Sequence, residues 1–262
     1  MRCTILASGS KGNCTYIEGA EGALLIDAGL SAKETFARMA QAGCTPDAIE
    51  AIVVTHEHGD HVRGLDVLAR KLSCPVYATQ GTLADFLCHR RTSDKPLETR
   101  VCRYNEAFTV AGMTLTPFAT SHDAAEPCGF TVNDDGVTLG YCTDTGIVTA
   151  SMFARLKPCD GLVLESNHCP DMLAHGPYPE SLKRRIRSDH GHLSNPAAAA
   201  VLRQLGRDAP PVILSHLSEI NNTPDKARAS ARDGLGLFFE DTGLIVASQA
   251  GTTPVSRQEL RL

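Results

Sequence analysis

Four side chains able to bind metal fall within the six residues His56 to His61 of Thr55-His56-Glu57-His58-Gly59-Asp60-His61, directly after the apolar run Ala51-Ile52-Val53-Val54. Side chains two apart on an extended segment point to the same side, so His56 and His58 share a face. Gly59 permits a tight bend, after which Asp60 and His61 can face a second position nearby. Imidazole and carboxylate suit zinc or manganese, with iron a further option, and four such groups in so short a stretch can serve two divalent cations. A solvated polar turn would not concentrate three histidines and an aspartate at the end of a buried-type strand.

A centre for two metals needs more ligands from distant segments. His122 follows the strand-like run Met113 to Thr120, Asp144 follows Gly140-Tyr141-Cys142-Thr143, and His216 follows Pro211-Val212-Ile213-Leu214-Ser215. Each sits just beyond a β-like run, as the first cluster does. A carboxylate has two oxygens and can lie between two cations, a task for which Asp144 is placed.

The elements that must carry these residues alternate between short β-like runs and helical stretches. Strands are expected over Cys3–Leu6, Cys14–Ile17, Ala23–Ile26 and Ala51–Thr55, with turn glycines between the first three. Ser31 and Glu34 have the spacing of a capping box, followed by Ala32, Phe36, Met39 and Ala40 at helical intervals. Asn195-Pro196 and Thr223-Pro224 each read as a cap residue followed by proline at the first helical position, and Gly206 closes the first of these helices. Leu24-Leu25-Ile26-Asp27-Ala28-Gly29 echoes Leu139 to Gly146, and Ala51 to His58 echoes Gly161 to His168. In both halves polar groups appear where an apolar strand stops. No Pro/Ser-rich linker interrupts the pattern, so residues 1–262 are read as one domain.

Composition bounds the rest. The 262 residues are 42% hydrophobic and 21% charged, an ordinary globular mixture, and 25 basic against 30 acidic residues give a net charge of −5. A surface basic everywhere is excluded, although a local basic patch is not. No apolar run approaches the ~18–20 residues that cross a bilayer, and the apolar stretch after Met1 is too short for a secretion signal. The expected place is the cytoplasm, away from membranes. The ten cysteines contain no C-x-x-C pair and read as reduced thiols rather than a zinc ribbon.

Together, Asp27, His56-Glu57-His58-Gly59-Asp60-His61, His122, Asp144 and His216 resemble the successive motifs of the metallo-β-lactamase fold superfamily over nearly the whole chain. The resemblance implies an α/β fold, a four-layered αββα sandwich with a dinuclear centre at one edge. It implies one metal on His56, His58 and His122, a second on Asp60, His61 and His216, and Asp144 between them. Asp27 is similar to the buried carboxylate that orients this edge.

Carboxylate and imidazole ligands around two cations suit phosphodiester hydrolysis, with a water between the cations as nucleophile and Asp60 beside it. The leaving oxygen needs a proton donor. Glu165 and His192 are similar to the Glu–His pair of transfer-RNA 3′-processing endonucleases of this fold, where a carboxylate favours the protonated imidazole. Ser8-Gly9-Ser10-Lys11-Gly12-Asn13-Cys14, Glu165-Ser166-Asn167-His168, Gly176-Pro177-Tyr178-Pro179, Gly191-His192-Leu193-Ser194-Asn195 and His216 to Asn222 resemble the YycJ-like (WalJ-type) branch. That branch implies 5′-to-3′ exonuclease action on DNA, preferentially single-stranded, without a large inserted cap domain. A hydrolase of small phosphodiesters or thioesters is the alternative on the same metals.

Substrate contacts are expected at Ser10, Lys11, Asn13, His168, Lys183, Arg184, Arg187 and Asn222. The glycine-rich Ser8–Asn13 loop could offer backbone N–H groups to a phosphate, or could simply be a tight hairpin. Lys183-Arg184-Arg185-Ile186-Arg187 could neutralise a strand's phosphates, or could be a solvated helix face. Tyr178 could stack on a base.

Overall fold

The computed structural model describes residues 1–90, 95–240, 242–249 and 251–255. Fourteen strands form two sheets of seven among these residues. The first holds β1 (Arg2–Ala7), β2 (Cys14–Glu18), β3 (Ala23–Ile26), β4 (Ile49–Val53), β5 (Val76–Ala78), β6 (Thr99–Val101) and, beyond β1, the last strand β14 (Thr253–Val255). The second runs in the order β13 (Leu244–Val246), β12 (Val212–Ser215), β11 (Gly161–Glu165), β10 (Val137–Cys142), β9 (Cys128–Asp134), β8 (Met113–Ala119) and β7 (Phe108–Val110). In each sheet one half is antiparallel and the other parallel, the parallel halves being β3 to β6 and β10 to β13.

The strands that carry the site are predominantly apolar and buried toward the site because both faces are covered there. Leu24, Ile26 and Val53 of the first sheet meet Phe130, Val132, Val163 and Ile213 of the second between the sheets. The intervening Leu25 and Ile52 point outward against α1 (Ala32–Ala42), α3 (Leu65–Leu72) and α4 (Gln80–His89), through Met39, Leu68 and Leu83. Leu162, Leu164, Val212 and Leu214 do the same against α5 (Ala150–Leu156), α8 (Asn195–Leu205) and α9 (Pro224–Leu235). The result is helix, sheet, sheet, helix, the expected sandwich. Three short helices remain, α2 (Gly59–Val62), α6 (Pro170–His175) and α7 (Glu180–Arg187), of which α2 and α7 reach the site. No helix among the described residues is long and apolar enough to cross a membrane.

Two local expectations change in detail. Ser31 Oγ accepts from Glu34 N at 3.2 Å, but the Glu34 carboxylate accepts from Arg38 at 2.7 Å, so only half of the capping box forms. Helix α8 is capped by Ser194, whose Oγ accepts from Ala197 N, and not by Asn195. The Asn195 amide is drawn inward, where it meets Ser166 Oγ at 2.7 Å and donates to Asn222 Oδ1 at 2.8 Å.

Candidate metal centre and its cleft

The parallel strands of both sheets end at one edge, and the residues just past their ends turn inward. Asp27, Asp144 and His216 follow β3, β10 and β12 with φ of 63°, 55° and 55°. This left-handed conformation is tolerated by Asp and His better than by most residues, and it swings each side chain off the strand direction. Gly29 is forced by a close approach: a Cβ there would stand 1.6 Å from Asp60 O. The exit of β3 and α2 are thereby locked together, with Ala28 N donating to His61 O at 2.7 Å and Asn13 N to Asp60 O at 2.8 Å.

Ligand atoms of His56, His58 and His122 lie within 4.8 Å of one another, as do those of Asp60, His61 and His216. Asp144 lies between the two groups, with Oδ1 3.8 Å from His122 Nε2 and 3.2 Å from His216 Nδ1, and Oδ2 3.4 Å from His61 Nε2.

Each of five imidazoles has one nitrogen tied back to the protein. His56 Nδ1 meets Thr55 Oγ1 at 3.0 Å, His58 Nε2 the Asp123 carbonyl at 3.2 Å, and His61 Nδ1 Asp27 Oδ2 at 2.8 Å. His122 Nδ1 meets the Gly191 carbonyl at 2.9 Å and His216 Nδ1 meets Glu165 Oε1 at 3.1 Å. Carbonyls and carboxylates only accept, so in the neutral form of those four rings the tied nitrogen carries the proton and the other is the one left to ligate. That is the arrangement by which outer groups set imidazoles to ligate metal.

The fit is visible in what the fold leaves unpaired. His56 Nε2, Asp144 Oδ2 and His216 Nε2 are buried without a hydrogen-bond partner among the described residues. Such an atom costs about 1–3 kcal/mol, and two cations taken up at the two groups, with Asp144 between them, would offset it. Nitrogen and carboxylate donors of this kind suit zinc, manganese or iron, and do not select among them.

The charges are strongly coupled. Burial alone would push the Asp60 carboxyl up, but the His216 and His61 rings hold it well below the usual range. For His61, the nearby Asp144 and Asp27 carboxylates override burial and raise the ring to about 9. For His216, Asp144, Asp60 and Glu165 likewise outweigh burial and raise the ring well above its ordinary value. His56 goes the other way, through burial and the four neighbouring imidazoles.

Glu165, the last residue of β11, is fully buried and surrounded by donors. Its Oε1 accepts from His192 Nδ1 at 2.7 Å and from His216 Nδ1, while its Oε2 accepts from Thr145 N at 2.9 Å and Leu193 N at 3.2 Å. Burial raises this carboxyl, yet the His192 and His216 rings keep it well below the ordinary value. With Nδ1 so engaged, Nε2 is the His192 nitrogen left to the cleft. The cleft has a volume of about 240 Å³ and is lined by His192, Asp60, Asp144 and His216 together with Ser10, Tyr178 and Arg185.

The expected substrate contacts divide. Ser10 lines the cleft. Lys11 is exposed, and its Nζ pairs with Glu219 at 2.7 Å. The backbone N–H groups of Gly9, Lys11, Gly12 and Asn13 are all consumed, by Asn13 Oδ1, Gln249 Oε1, Gly9 O and Asp60 O. The loop is therefore the tight hairpin, with little left to cradle a phosphate. Asn13 is buried, its Nδ2 3.2 Å from Asp60 Oδ2 and 3.0 Å from His61 Nε2, and belongs to the support of the cluster. Asn222 is buried as well, donating to the Ser166 and Asn167 carbonyls.

His168 is buried outside the cleft lining; burial, with His192 and Arg187 nearby, lowers its ring to about 4. On α7, Lys183 is buried and donates to Ala174 O at 2.8 Å, while Arg184 and Arg187 are exposed away from the cleft lining. Arg185, between them, lines the cleft and pairs with Asp123. The spacing of Leu182, Arg185 and Ile186 on one helix face was the available signal for it. Asp123, next to His122, carried none.

Comparison with known proteins gives a consistent picture. A family model described as a beta-lactamase superfamily domain matches residues 23–217. The Bacillus anthracis protein named exodeoxyribonuclease YycJ is 40% identical over 247 residues, covering 90% of this chain and 92% of that protein. The Streptococcus pneumoniae protein named exodeoxyribonuclease WalJ is 36% identical over 250 residues, covering 90% and 91%. The crystal structure of the metallo-beta-lactamase fold protein YhfI from Bacillus subtilis superposes with a TM-score of 0.73 at 15% identity, covering 96% of this chain and 98% of that one, a likeness of fold.

Proposed function

The chain belongs to the beta-lactamase superfamily, and from that premise we propose that it is a metal-dependent exodeoxyribonuclease working 5′ to 3′ on single-stranded DNA. The observation that carries the reading is His192, held on buried Glu165, beside five imidazoles whose untied nitrogens converge with Asp60 and Asp144. The two relatives named as exodeoxyribonucleases, similar over nine-tenths of the chain, favour DNA over a small ester.

His56, His58 and His122 would hold one divalent ion and Asp60, His61 and His216 the other, with Asp144 between. Bound there, the pair of ions would lower the pKa of a water nucleophile and offset the charge that develops on the phosphate. Asp60, kept ionised by His61 and His216, would accept a hydrogen bond from that water and orient it. As the new O–P bond forms and the P–O3′ bond breaks, His192 Nε2 gives its proton to the departing 3′ oxygen. Glu165 keeps the ring oriented and balances the charge it carries before transfer. A nucleoside 5′-monophosphate leaves, and the shortened strand retains a 5′ phosphate.

The test is incubation of the metal-loaded protein with 5′-labelled single- and double-stranded DNA. Metal-dependent release of mononucleotides from the 5′ end, faster on the single strand, is expected. A protein that binds two metals per chain and cuts no DNA contradicts the reading. If that protein instead turns over a small phosphodiester or thioester, the alternative hydrolase takes its place.

A further inference from the structure

The cleft has two unlike walls. One is the ligand cluster with His192. The other is made by Tyr178, Leu182, Arg185 and Ile186, the last three on one face of α7. This second wall is fixed to the first: His192 N donates to Ile186 O at 2.9 Å, and a Cβ on Gly191 would stand 2.2 Å from Arg185 O, so glycine alone lets the two backbones meet. Tyr178 is half-buried between Pro177 and Pro179, whose rings restrict the backbone on either side of it.

Arg185 is held flat by a fork. Its Nε donates to Asp123 Oδ2 at 2.5 Å and its Nη2 to Asp123 Oδ1 at 3.0 Å. Of the five guanidinium N–H groups this leaves both on Nη1 and the second on Nη2, a planar donor set that matches phosphate oxygens. The about 240 Å³ of the cleft is small beside the ~300–1,000 Å³ of sites that enclose a drug-sized ligand. A space of that size suits one nucleotide unit.

We propose that this wall is a seat for the nucleotide being removed: Arg185 grips a phosphate through its remaining N–H groups, and the Tyr178 ring, backed by Leu182 and Ile186, stacks on the base. The proposal rests on the nuclease reading above and adds how the strand is held. Neither contact reads base identity, because every base has a π-face and every nucleotide a phosphate, so digestion proceeds through any sequence.

The test uses the metal-loaded full chain and its Arg185→Ala, Arg185→Lys, Tyr178→Ala and Tyr178→Phe variants. Binding of a phosphorothioate single strand is measured by fluorescence anisotropy over a salt series. Hydrolysis is followed on an intact strand and on one whose 5′-terminal residue is abasic. Arg185→Ala is expected to raise Kd and KM about tenfold and to flatten the log–log salt dependence by about 0.7, the share of one phosphate contact on a single strand. Arg185→Lys restores the salt slope but only part of the affinity. Tyr178→Ala raises KM about tenfold on the intact strand and leaves it unchanged on the abasic one, while Tyr178→Phe behaves as the parent. The seat is overturned if Arg185→Ala keeps both Kd and slope, or if Tyr178→Ala weakens intact and abasic strands alike. A parent protein that binds the strand through both residues yet never cuts it upholds the seat and overturns the nuclease reading.

Discussion

The Oδ2 atom of Asp27 lies 2.8 Å from Nδ1 of His61, with both side chains shut away from solvent. The other oxygen of Asp27 accepts from Thr55 N at 2.8 Å and Thr55 Oγ1 at 3.0 Å, so the carboxylate is fixed before it fixes the ring. Its consequence is felt across the ring, at Nε2, which is turned toward Asp60 and Asp144. Asp27→Asn preserves volume but removes the charge. We expect it to weaken metal binding about 10–100-fold with the fold retained. Titration with a metal-buffered solution, alongside circular dichroism, checks this, and unaltered affinity would contradict the assignment.

Glu165 stands behind two different rings, which separates two variants. His192→Ala removes only the cleft-facing donor and is expected to lower the rate about 10²–10⁴-fold with two metals still bound. Glu165→Gln disturbs His216 as well as His192 and is expected to lower both rate and metal content. Elemental analysis of the two purified variants distinguishes them, and loss of metal from His192→Ala would show that its role is misassigned.

Removing metal is expected to soften the whole edge. Without cations the unpaired His56, His216 and Asp144 atoms stay buried, so ligand binding couples directly to stability. At a thousandfold excess over the dissociation constant, one bound ion contributes about 4 kcal/mol. Thermal melting with chelator, then with zinc or manganese restored, is the measurement. A melting temperature indifferent to both would rule out a metal centre.

Thiol chemistry offers a test of the core. Eight of the ten cysteines are buried, Cys88 is exposed and Cys169 is intermediate. Burial pushes the thiols of Cys3, Cys102 and Cys159 up to about 12 and that of Cys74 to about 11. Only the thiolate is nucleophilic, so at pH 8 these four remain protonated as well as covered. Mass spectrometry after alkylation should find Cys88 modified first and Cys169 more slowly. All ten should react once the chain is unfolded. Rapid loss of Cys3 or Cys102 from the folded protein would contradict the packing.

What the sequence made legible follows from how local each signal is. The run from His56 to His61 declares itself because its residues are neighbours, and the last three residues of the strand before it, Ala51 to Val53, are apolar and buried. The echo between Asp27 and Asp144 corresponds to equivalent left-handed exits from β3 and β10, each beside a parallel neighbour. Polar residues whose partners are remote were harder to read. Asn13 and Asn222 look like surface amides in the sequence but are consumed by Asp60, Ser166 and Asn167 across more than forty residues of chain. The basic run on α7 shows the same limit. Which side of an eight-residue helix meets a cleft is settled by packing, and there it buries Lys183 and presents Arg185.

The converging side chains are drawn from positions as far apart as Asp27 and His216, and from strands of both sheets. No contiguous fragment carries enough of them to grip a pair of ions. A partly synthesised chain therefore lacks the complete ligand set, and assembly of the two-ion centre must wait until the two halves have closed on each other. Such long-range dependence slows folding, but it also means that hydrolytic power arrives together with the finished architecture and never ahead of it.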